Sequence, residues 1–86
     1  MGITTLSQKQ LDAIRHTADW LITEHHFRRD SAERIANDAF DSITSFYYQY
    51  GVYSPKYDNE TQEEFDSHLE EYLKEGILKE MDAYTE

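Results

Sequence analysis

Cysteine is absent from the 86-residue chain, which excludes a disulfide framework and any thiolate metal site. The fold therefore rests on apolar packing, alone or with a partner subunit. Basic side chains are scarce: eight Lys and Arg stand against eighteen Asp and Glu, for a net charge of -10. That balance argues against a protein that itself holds phosphate backbones and points instead to a cationic partner. Long apolar runs are missing too. Near the start the longest is Trp20-Leu21-Ile22, too short for the apolar stretch of a signal peptide or for a membrane span, so a cytoplasmic location without membrane contact is expected. The length suits one small domain, residues 1–86, with no room for a second core. Apolar residues make up 38% and aromatics 14% of the chain, which is too rich in rings for a disordered tail and implies folding around an aromatic-heavy core.

Counting apolar positions against the 3.6-residue period predicts an all-α fold, a small bundle of three amphipathic helices over about 8–26, 31–50 and 60–84. The first carries Leu11, Ile14, Ala18, Leu21, Ile22 and His25 on one stripe, opened by Ser7 and Gln10 as a capping box. Arg28-Arg29, the one basic patch, fits the end of that helix, where positive charge meets the negative pole of the dipole. In the second helix, Asp30 and Glu33 have capping-box spacing, and Ile35, Ala36, Ala39, Ile43, Phe46, Tyr47 and Tyr50 keep one face inward up to a stop at Gly51. Residues 51–59 hold the only proline, Pro55, among several turn formers, and read as a loop. The third helix, opening near Asn59 to Thr61, keeps Phe65, Leu69, Tyr72, Leu73, Ile77, Met81 and Tyr84 in phase, with Gly76 as the candidate kink or break.

The negative charge is concentrated. Residues 1–30 balance four acids against four bases, residues 31–50 carry -2, and residues 51–86 carry -8. On a continuous third helix, Glu60, Glu64, Glu71, Glu75 and Asp82 fall on one exposed stripe, with Glu63, Asp66 and Glu70 in a neighbouring row. At 1.5 Å per residue such a helix is roughly 33 Å long and spaces its acids about every 3.7 Å. One strand of B-DNA spaces its phosphates about every 3.4 Å, so the linear charge density is comparable. Five tyrosines cluster beside this segment: Tyr47, Tyr48, Tyr50, Tyr53 and Tyr57. Tyr48, Tyr53 and Tyr57 fall off the buried stripe or in the loop, where large rings with a polar tip serve as interface anchors.

The histidines are His16, His25, His26 and His68. Asp12 with His16 and Glu64 with His68 share helix faces but lack the spacing of metal-binding helices, and no phosphate loop or nucleophile setting is present. No cofactor, metal or catalytic residue is expected, and the chain is not read as an enzyme.

The segment Asp-Ala-Phe-Asp-Ser-Ile-Thr-Ser-Phe-Tyr-Tyr (Asp38 to Tyr48), followed by an acidic last helix in a small cysteine-free chain, resembles the phage-encoded DNA mimics of the T7-type anti-restriction kind. These have helices rich in Asp and Glu and a Tyr-Tyr pair near a helix end. The resemblance implies a non-catalytic inhibitor in a bacterial host. It would occupy the DNA- or RNA-binding surface of a defence or repair protein, as anti-restriction, anti-CRISPR and uracil-DNA glycosylase inhibitors do. The partner is then a basic nucleic-acid-binding protein, without direct contact to nucleic acid, and the contact residues are Glu60, Glu63, Glu64, Asp66, Glu70, Glu71, Glu75, Tyr48, Tyr53 and Tyr57. The chain is also similar to the immunity proteins of nuclease bacteriocins, small acidic helical proteins that hold a basic nuclease with a Tyr-Tyr pair. There the pair is followed directly by proline, whereas Gln49 to Ser54 separate Tyr47-Tyr48 from Pro55 here. A third reading, from a different class, is a structural or regulatory homodimer whose tyrosine-rich face is the seam and whose acids are a solubilising coat.

Overall fold

In the computed structural model, which describes residues 6–47, 52–55 and 61–81, the chain is mostly helical with one small antiparallel sheet. The order is α1 (Gln8–His25), α2 (Arg29–Ile43), β1 (Thr44–Tyr47), β2 (Val52–Pro55), α3 (Gln62–Ser67) and α4 (Leu69–Lys79). Helix α1 packs against both α2 and α4, and α2 also meets α4. No helix is long and apolar enough to cross a membrane among the described residues.

The predicted capping box starts α1: Ser7 Oγ accepts from the Gln10 amide and Gln10 Oε1 accepts from the Ser7 amide, both at 3.2 Å. The helix ends where His26 takes a left-handed conformation (φ 61°), and the Phe27 amide turns back to the Leu21 carbonyl at 3.1 Å. That turn buries the Phe27 ring and lets α2 start at once. As a result Arg28-Arg29 lies at the start of α2, with Arg28 as its N-cap, and does not close α1. Asp30 sits inside the first turn, where it complements the dipole, so the expected Asp30–Glu33 capping box does not form. Arg29 instead reaches Glu33 at 3.9 Å.

Helix α2 stops at Ile43, seven residues before the expected end, and the chain continues as a strand. The helical phase of the apolar residues runs on, but Ile43-Thr44-Ser45-Phe46-Tyr47 is a β-branched and aromatic run that suits an extended backbone. Thr44 Oγ1 donates to the Phe40 carbonyl at 2.8 Å, one of the last four that the helix leaves open, and Ser42 Oγ donates to the Ala39 carbonyl at 3.0 Å. Thr44 pairs with Pro55, Ser45 with Ser54, Phe46 with Tyr53 and Tyr47 with Val52. Part of the expected loop is thus β2, with Pro55 at the strand's last position, where its missing N–H is tolerated. The predicted stop at Gly51 lies outside the described residues.

The last helical segment is two helices, broken at His68 and not at Gly76. His68 has φ -105° and ψ 8°; its N–H is shared between the Glu64 carbonyl at 3.2 Å and the Phe65 carbonyl at 3.1 Å, and its ring Nδ1 lies 3.0 Å from the Glu64 carbonyl. Gly76 stays helical inside α4.

The core is aliphatic more than aromatic. Leu21, Ile35, Leu69, Leu73 and Ile77 are fully buried, while Ala13, Ala18, Ala32, Ala36 and Ala39 bring the helices close together. Phe27, Phe40 and Phe65 are buried rings. Burying each large aliphatic side chain contributes about 1.5–3 kcal/mol.

A Cβ built at Gly76 meets nothing within 4 Å. Gly76→Ala should therefore raise stability by about 0.5–1 kcal/mol, since alanine removes the backbone entropy that glycine loses in a helix. A higher urea midpoint with an unchanged slope is the expected result.

Candidate functional site

The fold divides the acidic segment into carboxylates committed to its own packing and carboxylates that face outward. Gln10 makes the division. Its Oε1 closes the α1 capping box, which leaves the two N–H bonds of Nε2 to donate elsewhere. One goes to the Tyr53 carbonyl of β2 at 3.3 Å and the other to Asp66 Oδ1 of α3 at 2.9 Å. Gln10 is 2% exposed, so a single amide with every group satisfied joins the start of α1 to the sheet and to α3. Asp66 Oδ1 also accepts from Gln62 Nε2 at 3.1 Å.

Glu70 is the second committed acid. One oxygen lies 2.8 Å from Lys74 Nζ and the other 3.2 Å from His16 Nδ1 on α1. The hydrogen bond from Lys74 holds its carboxyl below the ordinary value of 4.5, helped by His16 and opposed by partial burial. Lys74 Nζ also stands 5.5 Å from the centre of the Trp20 ring, and the Trp20 ring meets His25 edge-on at 4.7 Å. This chain of contacts ties α4 to α1. Between α1 and the junction of α3 with α4 runs an open groove of about 360 Å³, lined by Lys9, Asp12, His16, Asp66, Ser67 and Glu70 among others.

The outward set follows from helical geometry. Leu69, Leu73 and Ile77 define the buried line of α4, and at 100° per residue Glu71 and Glu75 fall on the opposite side. Leu78 lies on that side as well and is 51% exposed. In α3, Phe65 points into the core and Glu63 is exposed. Among the described residues none of Glu63, Glu71 and Glu75 is held in an ion pair. Glu64 is intermediate in role: its Oε1 accepts from the Thr61 amide at 3.1 Å and closes a second capping box, while the residue remains exposed. Among the described residues the acids expected along one continuous helix are therefore divided between α3 and α4. The break at His68 interrupts its even rise, and the row containing Asp66 and Glu70 turns partly toward α1.

Tyr53, expected as an anchor, is half-buried, with its ring edge-on to Phe40 at 5.3 Å. Glu60, Tyr48 and Tyr57 lie outside the described residues. Gln10 is the contact-forming residue that sequence reasoning missed: its capping role was legible, but no local pattern signals that Nε2 meets Tyr53 and Asp66, 43 and 56 residues away. Among the described residues no three His, Asp or Glu converge as metal ligands.

No protein-family model, curated protein or solved structure matches the chain.

Gln10→Ala should cost about 1–3 kcal/mol, because it strands buried groups on β2 and α3, and chemical denaturation will read it directly. The Glu70 contact gives a pH dependence of definite sign. A carboxylate with a depressed folded pKa contributes stability that is complete above its ordinary value of 4.5 and is lost as pH falls through the lower folded value. Both partners are partly exposed, so the effect is below about 1 kcal/mol. Lys74→Met should flatten this acid-side slope in denaturation midpoints measured down to about pH 3.

Proposed function

We propose that this chain is a non-catalytic acidic inhibitor that mimics nucleic acid and blocks the DNA- or RNA-binding surface of a bacterial defence or repair protein. One observation carries the reading: Glu63, Glu71 and Glu75 are exposed on α3 and α4, outside any ion pair among the described residues, while neighbouring acids are taken up by internal contacts. A carboxylate already paired offers little to a partner, whereas one in water gives up only hydration when a guanidinium or ammonium replaces it. Glu64 borders the same surface, and Leu78 adds an apolar contact at its far end.

Electrostatics sets the kinetics of such an interaction. A net charge of -10 accelerates the approach of a cationic surface, and the acceleration falls as salt screens it. Short-range contacts then govern dissociation. The mimicry is in charge, so any target that reads phosphates through Lys and Arg presents a compatible surface.

Affinity capture on the tagged chain from nuclease-treated bacterial lysate tests this reading. A nucleic-acid-binding protein should be retained, released by a salt gradient and displaced by duplex DNA or by RNA. Retention that neither salt nor nucleic acid disturbs would contradict the reading.

A further inference from the structure

The segment from β1 to α3 is bounded at each end by an interruption of helix. Helix α2 gives way to β1 at Thr44, with φ -126° and ψ 163°, and α3 gives way to α4 at His68, with φ -105° and ψ 8°. Backbone that leaves helical angles at two points, with regular helix beyond each, supplies a pair of hinges. Between those hinges the elements are anchored more lightly than α4. Helix α4 sinks Leu69, Leu73 and Ile77 into the core, each at most 1% exposed. Helix α3 buries Phe65, while in β2 Val52 is exposed and Tyr53, Ser54 and Pro55 are half-buried. Few buried apolar contacts mark a segment that opens below the global unfolding free energy.

The docking contacts of the sheet and of α3 are shared. Helix α3 packs against β2, and Gln10 bonds to both, through the Tyr53 carbonyl and the Asp66 carboxylate. Releasing one partner therefore strips support from the other. The remaining helices keep contacts of their own: α1, α2 and α4 pack on one another directly, and the His16–Glu70 contact and Lys74 above Trp20 join α4 to α1 without the sheet or α3. We propose that β1, β2 and α3 undock as one cooperative unit from a core of α1, α2 and α4 that stays folded, with the Gln10 amide as the latch. In the open form Gln10 Nε2 and the Asp66 carboxylate both return to water, so no buried polar group is stranded by the opening. The device holds whatever the chain binds. It carries Glu63 away from Glu71 and Glu75, which stay on α4, and it frees Asp66.

Native-state hydrogen exchange on the whole chain, read by NMR across low denaturant concentrations, tests the proposal. Amides of β1, β2 and α3 should share one opening free energy and one shallow denaturant slope, below the global values reported by the slowest amides of α1, α2 and α4. Gly76→Ala strengthens α4 in the closed and open forms alike. It should slow exchange in the three-helix core about two- to fivefold and leave the sheet and α3 unchanged. Gln10→Glu keeps an oxygen to cap α1 but removes both donors, and should speed exchange in the sheet and α3 roughly tenfold. Asp66→Ala, a change in α3 alone, should speed exchange in the strands as well. A sheet and α3 that exchange only with global unfolding, or that follow the core in Gly76→Ala, overturn the proposal. So does separate opening of the strands and of α3. Exchange left unchanged by both Gln10→Glu and Asp66→Ala overturns the latch.

Discussion

The buried amide of Gln10 is the contact on which the arrangement of this molecule depends. Two amphipathic helices joined by a short turn have no intrinsic reason to fix the position of a short sheet and of a six-residue helix far along the chain. Apolar packing of Phe65, Leu69 and Leu73 draws that later segment onto α1 and α2, but hydrophobic burial is non-directional and leaves its register free. Hydrogen bonds in a dry environment are directional, and a buried amide with an unmet donor is penalised. Gln10 therefore admits one register, in which the Tyr53 carbonyl and the Asp66 carboxylate both reach Nε2.

That register has an electrostatic consequence. Once Asp66 is drawn to Gln10 and Glu70 to Lys74 and His16, the acidic segment has an inner side that serves cohesion and an outer side that does not. Like charges at neighbouring helical positions, such as Glu71 and Glu75, oppose helix formation by a few tenths of a kcal/mol per pair. The outer acids thus add some repulsion and no ion pair among the described residues. The break at His68 gives that surface two short segments in place of one straight rod, so the charge is presented as a patch and not as a uniform line.

Much of the helical content was legible in the sequence because periodicity and capping signals agreed there. Ser7 with Gln10 forms the reciprocal bonds its spacing implies, and a helix opens at Thr61 as expected. Misreadings arose where two signals competed. From Ile43 to Tyr47 a helical phase coexists with a β-branched and aromatic run, and the extended form prevails once Thr44 closes the end of α2. At Gly76 a residue associated with breaks sits in a helix anchored by Leu73 and Ile77, whereas at His68, an ordinary helical residue by propensity, the N–H is shared between the Glu64 and Phe65 carbonyls and the backbone leaves helical angles. The left-handed turn at His26 carries no glycine to announce it. The acidity of the last third was evident from counting, but its division into committed and outward carboxylates depends on long-range contacts that no local pattern encodes.

In the function proposed above, recognition of the partner rests on the outward acids of α3 and α4 and not on the total charge. The direct measurement compares two variants that change net charge equally. One carries Glu63→Lys, Glu71→Lys and Glu75→Lys; the other carries Glu24→Lys, Asp38→Lys and Asp41→Lys on exposed positions of α1 and α2. Binding of a captured partner is measured at physiological salt, with circular dichroism showing both variants folded. The account predicts that the first set abolishes binding while the second slows association and leaves dissociation nearly unchanged. Equal losses from the two sets would contradict it.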